Sequence, residues 1–183
     1  MRRSAMQGRP ETEGFTLVEL LVVLAIMGIV VVAMGFQYDG WIGKHRVESK
    51  AREIYADMMN ARARAIDRNR VHFVNMPAAD TSKFLIYEDS SPSPDGDGSL
   101  STAQDAVVVN TTVPYRLTGA ERQFIIDPRG IIVNSAGLPN TGAAIRLEDV
   151  DGADLNADYD CVAVSATRLN VGLWNGTSCG TNE

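Results

Sequence analysis

The chain has 183 residues, with seventeen Lys/Arg against 23 Asp/Glu, a formal net charge of −6 and 45% apolar residues. An acidic balance of this size disfavours steering toward a polyanion such as nucleic acid. Two cysteines with no CxxC pair and no Cys/His cluster leave no structural zinc site.

The first 14 residues carry Arg2, Arg3 and Arg9, then Glu11 and Glu13, ahead of the apolar run. A secretory signal places its small-residue cleavage point after such a run, and Gly35 followed by Phe36 is a poor version of one. Any processing point therefore lies before the helix. From Phe15 to Phe36 the chain is apolar apart from Glu19 and the small polar Thr16, long enough for one bilayer crossing at about 20 residues. A carboxylate in lipid is expensive and calls for a partner, unless Glu19 snorkels toward the interface. Arginines before the span keep the N-terminus inside, so everything after about Trp41 is exported. In that oxidising compartment Cys161 and Cys179 could close a loop, two unpaired thiols being the alternative.

Beyond the span, Val47, Ala51, Ile54, Met58, Ala61 and Ala65 recur at spacings of three and four, the apolar face of an amphipathic helix running to about Asn69. Gly40 and Gly43 make a bend there plausible on backbone grounds. Nine segments then read as strands between turn formers: Val71 to Val74, Phe84 to Tyr87, Ala106 to Val109, Val113 to Leu117, Gln123 to Ile126, Gly130 to Val133, Ala143 to Leu147, Cys161 to Val164 and Asn170 to Trp174. The fold class expected is α+β, a long N-terminal helix packed on one mostly antiparallel β head, with well over 100 residues to form the core. Asp89 to Asp105 has no core-forming periodicity and is expected as an exposed loop, a solvated spacer or a contact surface.

Candidate chemistry is sparse. Asp149, Asp151, Asp154, Asp158 and Asp160 cluster with Glu148 and Asn156, oxygen donors suited to calcium, but Gly152 follows Asp151 directly and the spacing is not that of an EF-hand; a solvated turn is the plainer reading. The two histidines, His45 and His72, lie at opposite ends of a basic helix segment, and no serine or cysteine sits in a nucleophile-elbow setting, so no enzyme is expected. Residues 44–70 hold eight Lys/Arg against four Asp/Glu, whereas residues 71–183 hold six against fifteen.

The run Gly14-Phe15-Thr16-Leu17-Val18-Glu19-Leu20-Leu21 resembles the leader junction of the type IV pilin-like proteins. The stretch ESKAREIYADMMNARARAIDRNRVHF, Glu48 to Phe73, and more loosely VAVSATRLNVGLWNGTSC, Val162 to Cys179, resemble the GspH/FimT group of minor pseudopilins and minor pilins. The resemblance implies a leader of residues 1–14, a transmembrane and assembly helix of 15–36, its amphipathic continuation over 37–70 and a head of 71–183. It implies cleavage by a prepilin peptidase between Gly14 and Phe15 with methylation of Phe15, and a Glu19 that neutralises the terminal amine of a neighbouring subunit. The implied partners are other pilins or pseudopilins, the inner-membrane assembly platform and, before assembly, the lipid bilayer; the implied place is the bacterial inner membrane with the head periplasmic. The implied function is that of a minor pseudopilin of type II secretion at or near the pseudopilus tip, with a minor type IV pilin or a membrane-anchored calcium-dependent binding module as alternatives. Some members of the group bind DNA through basic residues near the C-terminus; here only Arg168 stands there, amid acidic residues, and DNA is not expected as a partner. Major pseudopilins hold calcium in a late loop, the one cofactor the resemblance offers.

Overall fold

The computed structural model describes residues 14–94, 96–149 and 157–180, with backbone alone for residues 33–42. One helix, α1 (Leu17–Arg68), is followed by ten strands: β1 (His72–Asn75), β2 (Lys83–Glu88), β3 (Ala106–Thr112), β4 (Arg116–Thr118), β5 (Gln123–Ile126), β6 (Ile132–Asn134), β7 (Ala143–Glu148), β8 (Cys161–Val164), β9 (Leu169–Trp174) and β10 (Cys179–Gly180). Packing divides the chain between Trp41 and Ile42 into two compact units, although α1 has no break there. The bend considered at Gly40 to Gly43 falls largely among the residues with backbone alone. α1 stops where Asn69 turns to φ 52° and the Arg70 N–H reaches back five residues to the Ala65 carbonyl at 3.2 Å. Asparagine tolerates this left-handed position because its short polar side chain lowers the steric cost that other residues meet.

Within the C-terminal unit the strands form two antiparallel five-stranded sheets, ordered β3-β2-β1-β5-β6 and β10-β9-β8-β7-β4. Each of the nine expected segments overlaps a strand, although Val113 to Leu117 does so only at Arg116 and Leu117 and Gly130 to Val133 only at Ile132 and Val133; the strands are divided between two sheets rather than one, and β10 is additional. The spacing of apolar residues along α1 explains the arrangement. Val47, Ala51, Ile54, Met58, Ala61 and Ala65 are each 0–1% exposed. They share one core with Val74, Phe84, Ile86, Phe124 and Ile126 of the first sheet and Leu117, Ile145, Leu147, Val162 and Val164 of the second. Helix periodicity on one side and strand alternation on the other thus meet in a single apolar interior.

The first sheet is buried on both faces. Phe73, Leu85 and Tyr87 point away from the helix into a second cluster, with Val71, Ile125 and Leu100 against it. Leu100 belongs to the segment 89–105, which corrects the expectation of a merely exposed loop there: the segment lies over the sheet and its two ends are buried, Asp89 at 1% and Asp105 at 6% exposure. The carboxylate of Asp89 accepts the N–H groups of Asp97 at 3.2 Å and Gly98 at 2.7 Å. That of Asp105 accepts those of Ser90 at 3.2 Å, Ser91 at 3.3 Å and Ser101 at 2.7 Å. Each acid replaces the strand partners that the loop backbone lacks. Gly96, at φ +79°, has no room for a Cβ, which would collide with the Asp89 carboxylate.

Where α1 passes into β1, Glu88, 5% exposed, collects the cations. It takes Arg68 Nη1 at 2.5 Å and Arg70 Nη1 at 3.2 Å, and Arg70 Nη2 donates onward to the Pro94 carbonyl. His72 is fully buried beside them, its Nδ1 3.3 Å from the Arg70 carbonyl and its Nε2 3.9 Å from Glu88, with no hydrogen-bond partner for Nε2 among the described residues. Burial pushes the His72 pKa down, against the Arg70 carbonyl and Glu88, which raise it, and with Arg68 and Arg64, which lower it further.

Across the second sheet, the Cys161–Cys179 disulfide spans from β8 over β9 to β10. It passes Gly172, whose notional Cβ would strike the Gly180 carbonyl oxygen and lie 3.0 Å from the Cys179 sulfur. A side chain at this position must push β10 and its disulfide outward. Gly172→Ala is therefore expected to destabilise the head by about 1–3 kcal/mol, the usual cost of overpacking, read as a lower melting temperature of the detergent-solubilised chain; an unchanged melting temperature would show that β10 is free to move away.

A second expectation concerns acid. Burial holds the folded His72 pKa below the ordinary value near 6.5 that it has when unfolded, so its contribution is complete above about pH 6.5 and is lost as pH falls from there through its lowered folded value. Melting temperature should drop between pH 7.5 and 5, and His72→Gln should flatten that slope; parallel slopes in the two proteins would assign the acid sensitivity elsewhere.

Candidate processing and assembly site

The N-terminal unit begins with a specific helix start. Thr16 sits at the N-cap of α1, where its Oγ1 accepts the backbone N–H of Glu19 at 3.2 Å and its carbonyl accepts that of Leu20 at 3.2 Å. Threonine followed three residues later by glutamate is the pattern of the capping box, with Glu19 the acid in the first turn. A carboxylate there also faces the positive end of the helix dipole. The sequence reading of Glu19 as a charge in need of a partner missed this local role, although Thr-x-x-Glu was legible as a helix start.

Gly14 and Phe15 precede that cap. Among the described residues nothing lies within 4 Å of a Cβ built on Gly14, and its φ is not in the left-handed region, so neither their packing nor the backbone conformation requires glycine at this position. Phe15 is 84% exposed. A glycine that the fold does not need, beside an accessible peptide bond, suits an external agent that must approach the backbone closely. From Leu17 to Val32 the large apolar side chains are between 43% and 77% exposed, all round the helix rather than on one stripe. A helix of that kind is stable only when lipid or other helices cover it. Among the described residues no helix is long and apolar enough to cross a membrane; the span expected over 15–36 runs past Val32 into residues with backbone alone.

This junction has a counterpart among known proteins: residues 12–35 match the prokaryotic N-terminal methylation motif, and residues 50–167 match the family described as type II transport protein GspH. The chain belongs to the GspH family. It is a pilin-like protein of the GspH/FimT type, a family of structural transport components rather than of enzymes. No curated protein and no solved structure is a significant match.

The remaining candidate residues of this GspH-family chain fall as follows. Cys161 and Cys179 are joined, with Cα atoms 5.9 Å apart. Of the acidic cluster, Asp151 and Asp154 lie outside the described residues. Asp158 pairs with Lys44 Nζ at 2.8 Å, and its own backbone N–H donates to Glu48 at 3.1 Å. Asp160, 8% exposed, accepts the Trp174 N–H at 2.6 Å. Asp149 is half-buried at the end of β7. Two of the five carboxylates are thus engaged in holding the segment 157–160 to α1 and β9, and among the described residues no group of three or more His, Cys, Asp or Glu could hold a metal ion.

Arg168 sits exposed in the β8–β9 turn, on a cleft of about 280 Å³ shared with Asn170, Trp174 and Ser178. Trp174 carries the Arg146 guanidinium 5.3 Å from its ring centre, and Arg146 is itself paired with Glu148 at 2.6 Å. On the other side of the turn Arg62 of α1 donates to the Thr167 carbonyl at 2.7 Å. His45 stands 3.5 Å from Glu48, far along α1 from His72, so the two histidines do not converge.

Proposed function

We propose that this chain is a minor pseudopilin of a type II secretion system, a structural subunit at or near the tip of the pseudopilus that supports export of folded proteins. A prepilin peptidase removes residues 1–14 and methylates Phe15; the segment 15–36 holds the subunit in the inner membrane with its head in the periplasm until assembly draws it into a helical bundle with other pilin-like subunits. The observation that carries this reading is the tandem arrangement of a methylation motif and a GspH body on one helix, α1.

Removal of the leader takes three arginines and two glutamates, leaving 14 basic and 21 acidic side chains. It also creates an amine at Phe15, one turn before Glu19. In lipid the helix is already out of water, so apolar burial alone does not favour the bundle; close packing at Ala25, Gly28 and Ala33 and the pairing of Glu19 with a neighbour's amine select the assembled state. The capping role of Glu19 and the pairing role are separable. Glu19→Gln retains a residue suited to the capping box but removes the charge. Glu19→Ala and Glu19→Gln are both expected to insert and be cleaved normally, and both to lose incorporation by roughly tenfold or more, as expected when one member of a buried pair is removed. Normal incorporation of Glu19→Gln would eliminate the charge pair.

The machine itself is tested by cross-linking mass spectrometry on intact cells, with a photoreactive residue at exposed Ala103 and the mature N-terminus read in the same sample. Links to pseudopilins beneath a secretion channel are the expected result. Links to pilins and a pilus adhesin would reassign the chain to a type IV pilus, and an intact Gly14–Phe15 bond with no pilin-like neighbour would overturn both.

A further inference from the structure

Among the described residues the two sheets end in four edge strands, and they are not alike. Three are blunted by shortness. β10 has 2 residues and is tied down by the disulfide at Cys179, β4 has 3, and β6 has 3 with a further bridge from Val133 to Pro139. β3 is different: 7 residues, Ala-Val-Val-Val-Asn-Thr-Thr, without a charge or a proline, paired to β2 on one side and with no strand on the other among the described residues. Folded proteins guard such edges with charge, proline, shortness or a cover, because the outward N–H and C=O groups template pairing with another chain. The one guard β3 carries is an irregularity of register opposite Ile86 and Tyr87.

That irregularity has a second effect. Val108 and Val109, neighbours that would face opposite sides of a regular strand, both pack against the main core while staying half-buried. Val107 beside them is 52% exposed. Val107 is paired with Tyr87 and so shares the outer face of the sheet, while Val108 and Val109 meet the main core. Both faces of this edge therefore carry incompletely covered valines, and a strand laid beside β3 would both satisfy its backbone and cover them.

We propose that β3 accepts an extended segment of a different pilin-like subunit by strand addition. The proposal rests on the filament role above, and it names the donor by chemistry. Unpaired edge groups at alternate residues select an extended chain. The exposed Val107 on one face and the half-buried Val108 and Val109 on the other select apolar side chains in the donor. The charge of residues 71–183, six Lys/Arg against fifteen Asp/Glu, selects a donor flanked by lysine or arginine, and opposes a second copy of this head, which would set two acidic surfaces together.

Two measurements on the full chain test it. Hydrogen exchange, with the wild-type chain in detergent and in the assembled filament, is expected to show the outward-facing β3 amides, those not bonded to β2, protected only on assembly. Val107→Lys, a charge on an already exposed side chain, should leave the melting temperature unchanged while reducing incorporation roughly tenfold or more, since an edge lysine opposes pairing. If wild type assembles and Val107→Lys assembles equally well, or the outward-facing β3 amides exchange as fast in the filament as in detergent, strand addition at β3 is wrong while the filament role stands. Failure of the wild type to enter any filament removes both. Protection that grows with concentration of this chain alone would identify a second copy as the occupant and overturn the proposed donor.

Discussion

A single stripe of side chains on α1 organises the head. Val47, Ala51, Ile54, Met58, Ala61 and Ala65 have almost no solvent exposure, and both sheets pack their inward-facing residues onto the same stripe. Its three alanines, Ala51, Ala61 and Ala65, let the sheets approach, and Ile54 and Met58 between them fill the space. Met76, Val113, Tyr115 and Ala157, from the connections between strands, add to the same core. The helix thus serves as core for the C-terminal unit, while its first turns present apolar side chains on every side. One element is asked to satisfy two different environments, and the change in its pattern, from apolar all round to apolar on one face, marks where one demand gives way to the other.

Some of the acids of the head serve to finish its loops. Asp89 and Asp105 hold five backbone N–H groups of the segment between them. Asp160 holds another and Asp158 takes Lys44. A carboxylate that accepts several N–H groups inside a folded loop contributes stability without recruiting a cation, and this is a sufficient reason for an acid at each of these positions. Glu88 does the complementary work at the junction of α1 and β1, where Arg68 and Arg70 converge on it and Arg70 reaches the 89–105 segment. Helix end, first strand and covering loop are linked there through one buried acid.

The sequence carried the helix and the nine strand segments well because periods of 3.6 and 2 are local properties. The end of α1 was placed at Asn69, one residue from the observed Arg68, because the apolar spacing simply stops. What was not legible depends on contacts between distant residues. The division into two sheets is set by pairings such as β1 with β5 and β4 with β7, which no local pattern specifies. β10 is a two-residue strand defined by its neighbour and its disulfide. The loop 89–105 read as solvated because its sequence is rich in Ser, Asp, Gly and Pro; Leu100, its one large apolar residue, was the signal that it covers something. Gly172 inside β9 was a further one, since a glycine in a strand interior marks a close approach, here that of β10.

At the processing junction, sequence and structure complement each other in a different way. The motif Gly14 to Leu21 named the residues, and the geometry separates those the fold itself needs from those it does not. Thr16 and Glu19 have a local reason to be present, since together they start the helix. Among the described residues Gly14 and the exposed Phe15 show none, which fits the recognition from outside that the proposed processing requires. Under the proposed function, a helix start placed immediately after the Gly14–Phe15 bond has a consequence for assembly. With the proposed cut after Gly14, the new amine would lie about one helical turn from the Glu19 of its own chain and at the positive end of the same helix dipole. An amine there is repelled by its own helix while the carboxylate is held by it. The arrangement favours a neighbour's carboxylate for the amine and a neighbour's amine for the carboxylate, so that the charge left over by processing one subunit becomes the attraction for the next.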